Sequence, residues 1–161
     1  MQRVLIIGCP GAGKSTFARK LRDKTGLPLI YLDILRHRPD KTTVPAEEFD
    51  RQLQRILDTD RWIIDGNYRR TMERRLEACD TVIFLDFPTD VCIAGAEERI
   101  GLQREDLPFR ASLEDEFRQR IMGFAESDVP EIRRLLAGCA GRKRVVVFRS
   151  REEADRFADS L

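Results

Sequence analysis

Nine consecutive residues near the start of the chain, Gly8-Cys9-Pro10-Gly11-Ala12-Gly13-Lys14-Ser15-Thr16, interleave glycines with a lysine and two adjacent hydroxyls. They satisfy the pattern GxxxxGK[ST], whose mechanism follows from the residue types. The Gly8, Gly11, Ala12 and Gly13 stretch lets backbone N–H groups curl around a di- or triphosphate. Lys14 reaches the terminal phosphates, and Ser15, followed by Thr16, brings a hydroxyl suited to Mg2+. At average residue usage, chance matches occur in roughly 1 % of chains of this length, so context must support the match. Further along, Asp33 and Arg36 follow a second apolar run, Asp65, Asn67, Arg69 and Arg70 follow a third, and Asp86 follows a fourth. Carboxylates and arginines at the ends of strands are where an open parallel sheet gathers its ligands, so one crevice can hold them all.

The elements needed to bring them together are legible in the spacing of apolar residues. Arg3 to Ile7, Leu27 to Leu32, Trp62 to Ile64, Thr81 to Leu85 and Arg144 to Phe148 read as short buried strands. Between them, Phe17, Ala18 and Leu21 mark a helix that stops at Gly26, and Phe49, Leu53, Ile56 and Leu57 mark one opened by Pro45. Met72, Arg75, Leu76 and Cys79 outline another, and Pro88 begins one running toward Ile100. After a polar connection from Gly101 to Ala111, Ser112 with Asp115 resembles a capping box for a helix carrying Leu113, Phe117, Ile121 and Phe124. Pro130 to Ala137 and a Ser150-capped stretch to Leu161 complete the set. Strands alternating with helices predict an α/β fold, a five-stranded parallel sheet flanked by helices on both faces.

The chain has 161 residues, enough for one globular core. Lys+Arg number 29 against Asp+Glu 28, and this balance argues against nucleic acid as a partner, because nonspecific binding there needs an excess of cations. Lysine occurs only at 14, 20, 24, 41 and 143, so arginine, whose planar fork suits bidentate phosphate contacts, dominates the basic residues. Met1-Gln2-Arg3 runs directly into Val4 to Ile7 without a leader pattern, and no apolar run approaches the roughly 18 residues of a membrane span. The expectation is a soluble, cytoplasmic protein with no membrane partner. Cys9, Cys79, Cys92 and Cys139 are too scattered for a metal knuckle, so neither zinc nor a disulfide is expected, and Cys9 reads as a small filler.

At these residues the sequence resembles the adenylate-kinase-like nucleoside monophosphate kinases. The loop GCPGAGKST resembles that family's phosphate loop, Asp33-Ile34-Leu35-Arg36 its acceptor-side Asp-x-x-Arg, and Asp65-Gly66-Asn67-Tyr68-Arg69 its Asp-Gly-Phe-Pro-Arg. Trp62-Ile63-Ile64-Asp65-Gly66-Asn67-Tyr68, Phe84-Leu85-Asp86-Phe87-Pro88 and the terminal basic strand resemble a bacterial subgroup known as DNA topology modulation proteins. The resemblance implies a three-layer P-loop NTPase fold over residues 1–161, with a short helical, arginine-bearing lid at about 99–120. It implies ATP as phosphoryl donor with Mg2+ held by Ser15 and Asp65, the latter through water, and a small-molecule acceptor. Lys14 then stabilises the transferring group. Arg36 with Arg69 or Arg70, beside Asp33 and Asn67, holds the acceptor's phosphate. Arg99 and Arg110, among lid arginines that include Arg104, Arg118 and Arg120, neutralise charge in flight. Asp86 stands as a second candidate for a metal-bound water. Asn67-Tyr68 departs from Phe-Pro, and Gly95 stands where the subgroup carries Arg, so the acceptor stays open. The readings carried forward are a kinase for a nucleoside monophosphate or similar phosphate, a kinase for a non-nucleotide alcohol in the manner of shikimate or gluconate kinases, and a non-catalytic ATP-dependent regulator of a macromolecule such as DNA.

Overall fold

In a computed structural model, which describes residues 1–109 and 115–161, five strands form one parallel sheet in the order β2-β3-β1-β4-β5. They are β1 (Arg3–Gly8), β2 (Leu29–Tyr31), β3 (Trp62–Asp65), β4 (Thr81–Leu85) and β5 (Arg144–Phe148). The helices are α1 (Lys14–Thr25), α2 (Leu32–Arg36), α3 (Ala46–Leu57), α4 (Met72–Ala78), α5 (Thr89–Glu97), α6 (Asp115–Ser127), α7 (Val129–Cys139) and α8 (Arg151–Asp159). β1, β3 and β4 are near-continuous apolar runs because helices cover both faces of the sheet, and Trp62 lies wholly inside. β5, at an edge, is only partly covered. No helix among the described residues is long and apolar enough to cross a membrane.

Two expectations shift. The second strand ends earlier than Leu32, because Leu32 turns inward, fully buried against Gly66, and opens a five-residue helix with Asp33 in its first turn. Asp33 and Arg36 therefore stand three apart on one helix, on neighbouring positions of the same face. The helix begun after Pro88 ends at Glu97 rather than near Ile100. The expected cap at Ser112 lies outside the described residues, whereas Ser150 caps α8 as anticipated, its Oγ accepting from the Glu153 N–H at 3.3 Å.

Register places the site. Ile6 of β1 lies beside Asp65 of β3 and Ile83 of β4, and Tyr31 of β2 lies on the other side of Asp65. The loops after β1, β2 and β3 thus leave the sheet at one edge. Strand order reverses around β1, so the glycine-rich loop emerges at the point where an open sheet leaves a crevice.

Candidate functional site

The segment from Gly8 to Gly13 bends back over the start of α1. Gly11 has φ 85°, and a Cβ there would stand 1.9 Å from the carbonyl oxygen of Cys92 on α5, so only glycine fits. Among the described residues no side chain caps α1, and no acidic residue occupies its first turn, so the positive end of the helix and its N–H groups face the loop. Cys9 is buried as packing, next to Cys92, which holds its thiol pKa well above the ordinary value. Lys14 Nζ donates to the carbonyls of Gly8 at 2.9 Å and Cys9 at 3.1 Å. Thr16 lies outside this cluster, its hydroxyl accepting from Arg19 Nη2 at 3.2 Å.

Ser15 Oγ sits between two carboxylates, 2.6 Å from Asp65 Oδ2 and 2.8 Å from Asp106 Oδ2. All three residues are buried, and Asp65 Oδ1 has no hydrogen-bond partner among the described residues. One hydroxyl hydrogen serves one carboxylate, so the cluster holds more anionic oxygen than it can satisfy by itself. Burial pushes the Asp65 pKa up to about 6, against the pull of Lys14 and Ser15. Burial also raises that of Asp106, but the hydrogen bond and charge of Arg104 outweigh it and leave Asp106 below its ordinary value. A hard, oxygen-seeking divalent cation suits this set, so the residues present fit Mg2+.

A cleft of about 1160 Å3 joins these groups to the second set. Its lining includes Lys14, Ser15 and Asp65 together with Asp33, Arg36 and Arg69, and also Arg99, Arg104 and Arg120. Arg36 Nη1 donates to the Val44 carbonyl, which steadies its guanidinium. Tyr68, in the left-handed region at φ 34°, donates from its hydroxyl to Asp33 Oδ1 at 2.7 Å, and its Oη is 3.4 Å from His37 Nε2. His37, also in the lining, meets the ring of Phe109 edge-on, and Lys41 Nζ lies 5.7 Å from the centre of that ring.

Not every anticipated residue faces the cleft. Arg70 points to α3, where its guanidinium holds Asp50 with two bonds of 2.9 and 2.7 Å, which leaves Arg69 as the member of the pair beside the crevice. Asn67 lines the cleft, but its amide is committed to the phosphate loop, accepting from the Gly8 N–H at 3.1 Å and donating to the Gly8 carbonyl at 2.8 Å. Asp86, outside the cleft lining, accepts from Arg133 and Arg149, and Arg118 pairs with Glu97. Arg99, half-buried, has its pKa lowered by burial and by the neighbouring Arg104. Arg110 lies outside the described residues. Asp106 carries no signal in the sequence, because nothing separates one acid in a polar connection from its neighbours. Arg75 did carry a signal, an arginine within an apolar helical stripe.

No family model matches the chain. Its sequence is similar to the adenylate kinase of Mycobacterium ulcerans, 33 % identical over 136 residues, covering 78 % of this chain and 72 % of that enzyme. It is also 31 % identical to the adenylate kinase of Thermotoga neapolitana over 98 residues, where the match covers 58 % of this chain and only 43 % of the relative. In fold it is similar to shikimate kinase from Acinetobacter baumannii in complex with shikimate, with a TM-score of 0.65 at 13 % identity over 99 % of this chain and 90 % of that one. A gluconokinase from Sinorhizobium meliloti gives 0.58 at 16 % identity over 99 % and 95 %. The structural likenesses establish the three-layer α/β P-loop NTPase fold, in agreement with the sheet order and the loop after β1. The sequence likeness extends through most of the chain, and by it the protein belongs to the adenylate kinase family of P-loop kinases.

Proposed function

We propose that the protein transfers the γ-phosphoryl group of MgATP to a small acceptor carrying a phosphate, a nucleoside monophosphate or a molecule of similar chemistry. The observation that carries this reading is the sharing of one cleft by the phosphate-loop residues Lys14 and Ser15 and by the paired arginines Arg36 and Arg69. Two anionic groups bound at those two places meet within a single cavity, which is what an in-line transfer between phosphates requires. The name of the relatives, adenylate kinase, supports the same class of acceptor. The Trp62-to-Tyr68 stretch keeps the chain near the bacterial topology modulation subgroup, where Asn67-Tyr68 replaces Phe-Pro.

In this scheme Lys14 leaves the carbonyls of Gly8 and Cys9 for the β- and γ-phosphates, exchanging two neutral acceptors for charged ones. Ser15 and, through water, Asp65 would hold Mg2+, which when bound neutralises charge on the phosphate oxygens. Arg36 and Arg69 fix the acceptor's phosphate. Asp33, its carboxylate oriented by the Tyr68 hydroxyl, orients the acceptor's polar end. The segment at 99–120 acts as the lid: Arg99 brings positive charge over the phosphates, Arg110 adds to it, and closure excludes water and so favours transfer over hydrolysis.

The test is ADP formation from MgATP with and without a panel of nucleoside monophosphates and small alcohols, with Lys14→Ala as control. Stimulation by a monophosphate, abolished in a folded Lys14→Ala variant, is the expected result. Stimulation only by an alcohol reassigns the acceptor side, and ATP binding without stimulated turnover reassigns the protein to a nucleotide-dependent regulator.

A further inference from the structure

Arg75 is wholly buried on α4, in the apolar stripe with Met72 and Leu76, and its partners are carbonyls rather than a carboxylate. Nη1 donates to the Gly66 carbonyl at 2.7 Å, Nη2 to those of Tyr68 at 2.8 Å and Asn67, and Nε to that of Thr71 at 3.4 Å. Taking a guanidinium out of water without a counter-anion is costly, and burial pushes its pKa down to about 9, which still leaves it charged at neutral pH. What offsets the cost is the convergence of carbonyls: their negative ends repel one another unless a cation stands among them.

The segment so gathered is the one after β3. Gly66 at φ 140° takes a backbone open to glycine and little else, and Tyr68 at φ 34° holds a left-handed conformation that is uncommon for a residue with a side chain. From this bend three side chains leave for three targets. Asp65 meets Ser15, Asn67 makes two bonds to the backbone of Gly8, and Tyr68 meets Asp33. The Gly8 carbonyl also accepts from Lys14. When Lys14 turns to phosphate, the Asn67 amide is what keeps that carbonyl partnered and the first residue of the phosphate loop in place.

We infer that Arg75 is a positioning residue that, through Asn67, sets the shape of the phosphate loop from the acceptor side of the cleft. The GxxxxGK[ST] pattern does not contain this dependence, since both residues lie more than fifty positions beyond it. The turnover consequence rests on the kinase reading above, but the effects on nucleotide binding and on the Gly8 amide do not.

The experiment is titration of a fluorescent ATP analogue with Mg2+ against the wild type, Arg75→Met, Asn67→Ala and the double variant, with amide exchange on the unliganded proteins. Each single variant is expected to bind nucleotide about tenfold more weakly, as loss of an outer supporting contact does. The double variant should be no worse than the weaker single, because the Asn67 contact exists only while Arg75 holds the bend. In Arg75→Met the Gly8 amide should exchange faster while those of β4 stay protected. Additive losses, wild-type affinity in a folded Arg75→Met, or equal loss of protection in β4 would each overturn the inference. If Arg75→Met does not fold, Arg75→Lys replaces it, since an ammonium cannot span the separated carbonyls: weakened binding is expected, and full affinity overturns the inference. A wild type that releases no ADP with any acceptor defeats the kinase reading, and the binding and exchange results still decide the role of Arg75.

Discussion

The carboxylate of Asp106 lies 2.8 Å from the hydroxyl of Ser15, although 91 residues separate them. Asp106 comes from the polar connection after α5, and Ser15 from the first turn of α1, so this contact ties the segment over the cleft to the base of the phosphate loop. With Asp65 on the other side of the same hydroxyl, the place suited to Mg2+ is bounded by two acids rather than one. Arg104 pairs with Asp106 and keeps it ionised.

Asp106→Asn keeps the size of the side chain and removes its charge. Mn2+ affinity in the presence of ADP, read by electron paramagnetic resonance, is expected to fall about tenfold, and the melting temperature at neutral pH to fall as well, since Arg104 loses its charged partner. Unchanged Mn2+ affinity would make Asp106 a partner of Arg104 only.

Asp65 links pH to both activity and stability. Its folded pKa is about 6 against an ordinary 3.8, so between these values the native state holds a proton that the unfolded chain releases. Stability therefore falls as pH rises through this window, and above it the ionised, buried carboxylate costs about 3 kcal/mol. Asp65→Asn is expected to melt higher than the wild type at pH 7 to 8, with the difference closing below about pH 4. Phosphoryl transfer should show an acid limb near pH 6 in the wild type, since metal binding needs the ionised form, and very low activity in the variant. A variant that melts lower than the wild type at pH 8 would contradict the burial cost.

The strands, their parallel pairing and the phosphate loop were legible because each rests on local pattern: apolar runs too short for helices, glycines before a lysine, Asp-Gly at a strand end. Asp33, Arg36, Asp65 and Arg69 followed from them, since in a parallel sheet the ends of successive strands share an edge. What the sequence did not show depends on where long side chains turn. Arg69 and Arg70 are neighbours with the same chemistry, and the acids each one meets, Asp128 beside the cleft for Arg69 and Asp50 on α3 for Arg70, separate them. Asn67 looked like a group for the acceptor because its hydrogen-bonding capacity is visible, whereas its closeness to Gly8 arises from the register of β1 against β3. Asp106 depends on how the connection after α5 folds back, for which its composition carries no signal.

The arginines separate by kinetics. Arg36→Ala and Arg69→Ala should raise the KM for the acceptor by about tenfold or more and leave that for ATP nearly unchanged, as expected when a charge-assisted contact to one substrate is lost. Arg70→Ala, losing an exposed pair with Asp50, should leave both within about twofold. An effect of Arg36→Ala confined to ATP would move that residue to the donor side.

Gly95 and Gly138 offer the sharpest contrast of packing. A Cβ at Gly95 would lie 2.3 Å from the carbonyl oxygen of Gly11 and 2.4 Å from Arg151 Nη2. The arginine can swing away, but the carbonyl belongs to the phosphate loop and cannot move without reshaping it. Arg151, reaching from α8 to within 3.5 Å of the Gly11 and Val91 carbonyls, fills the space a side chain at 95 would take. Gly138, near the end of α7, has nothing among the described residues within 4 Å of its added Cβ. Gly95→Ala should therefore cost about 1–3 kcal/mol in denaturant unfolding and weaken binding of an ATP analogue. Gly138→Ala should stabilise by up to about 1 kcal/mol and leave binding unchanged. Equal nucleotide affinity in the two variants would show that α5 does not support the phosphate loop through this contact.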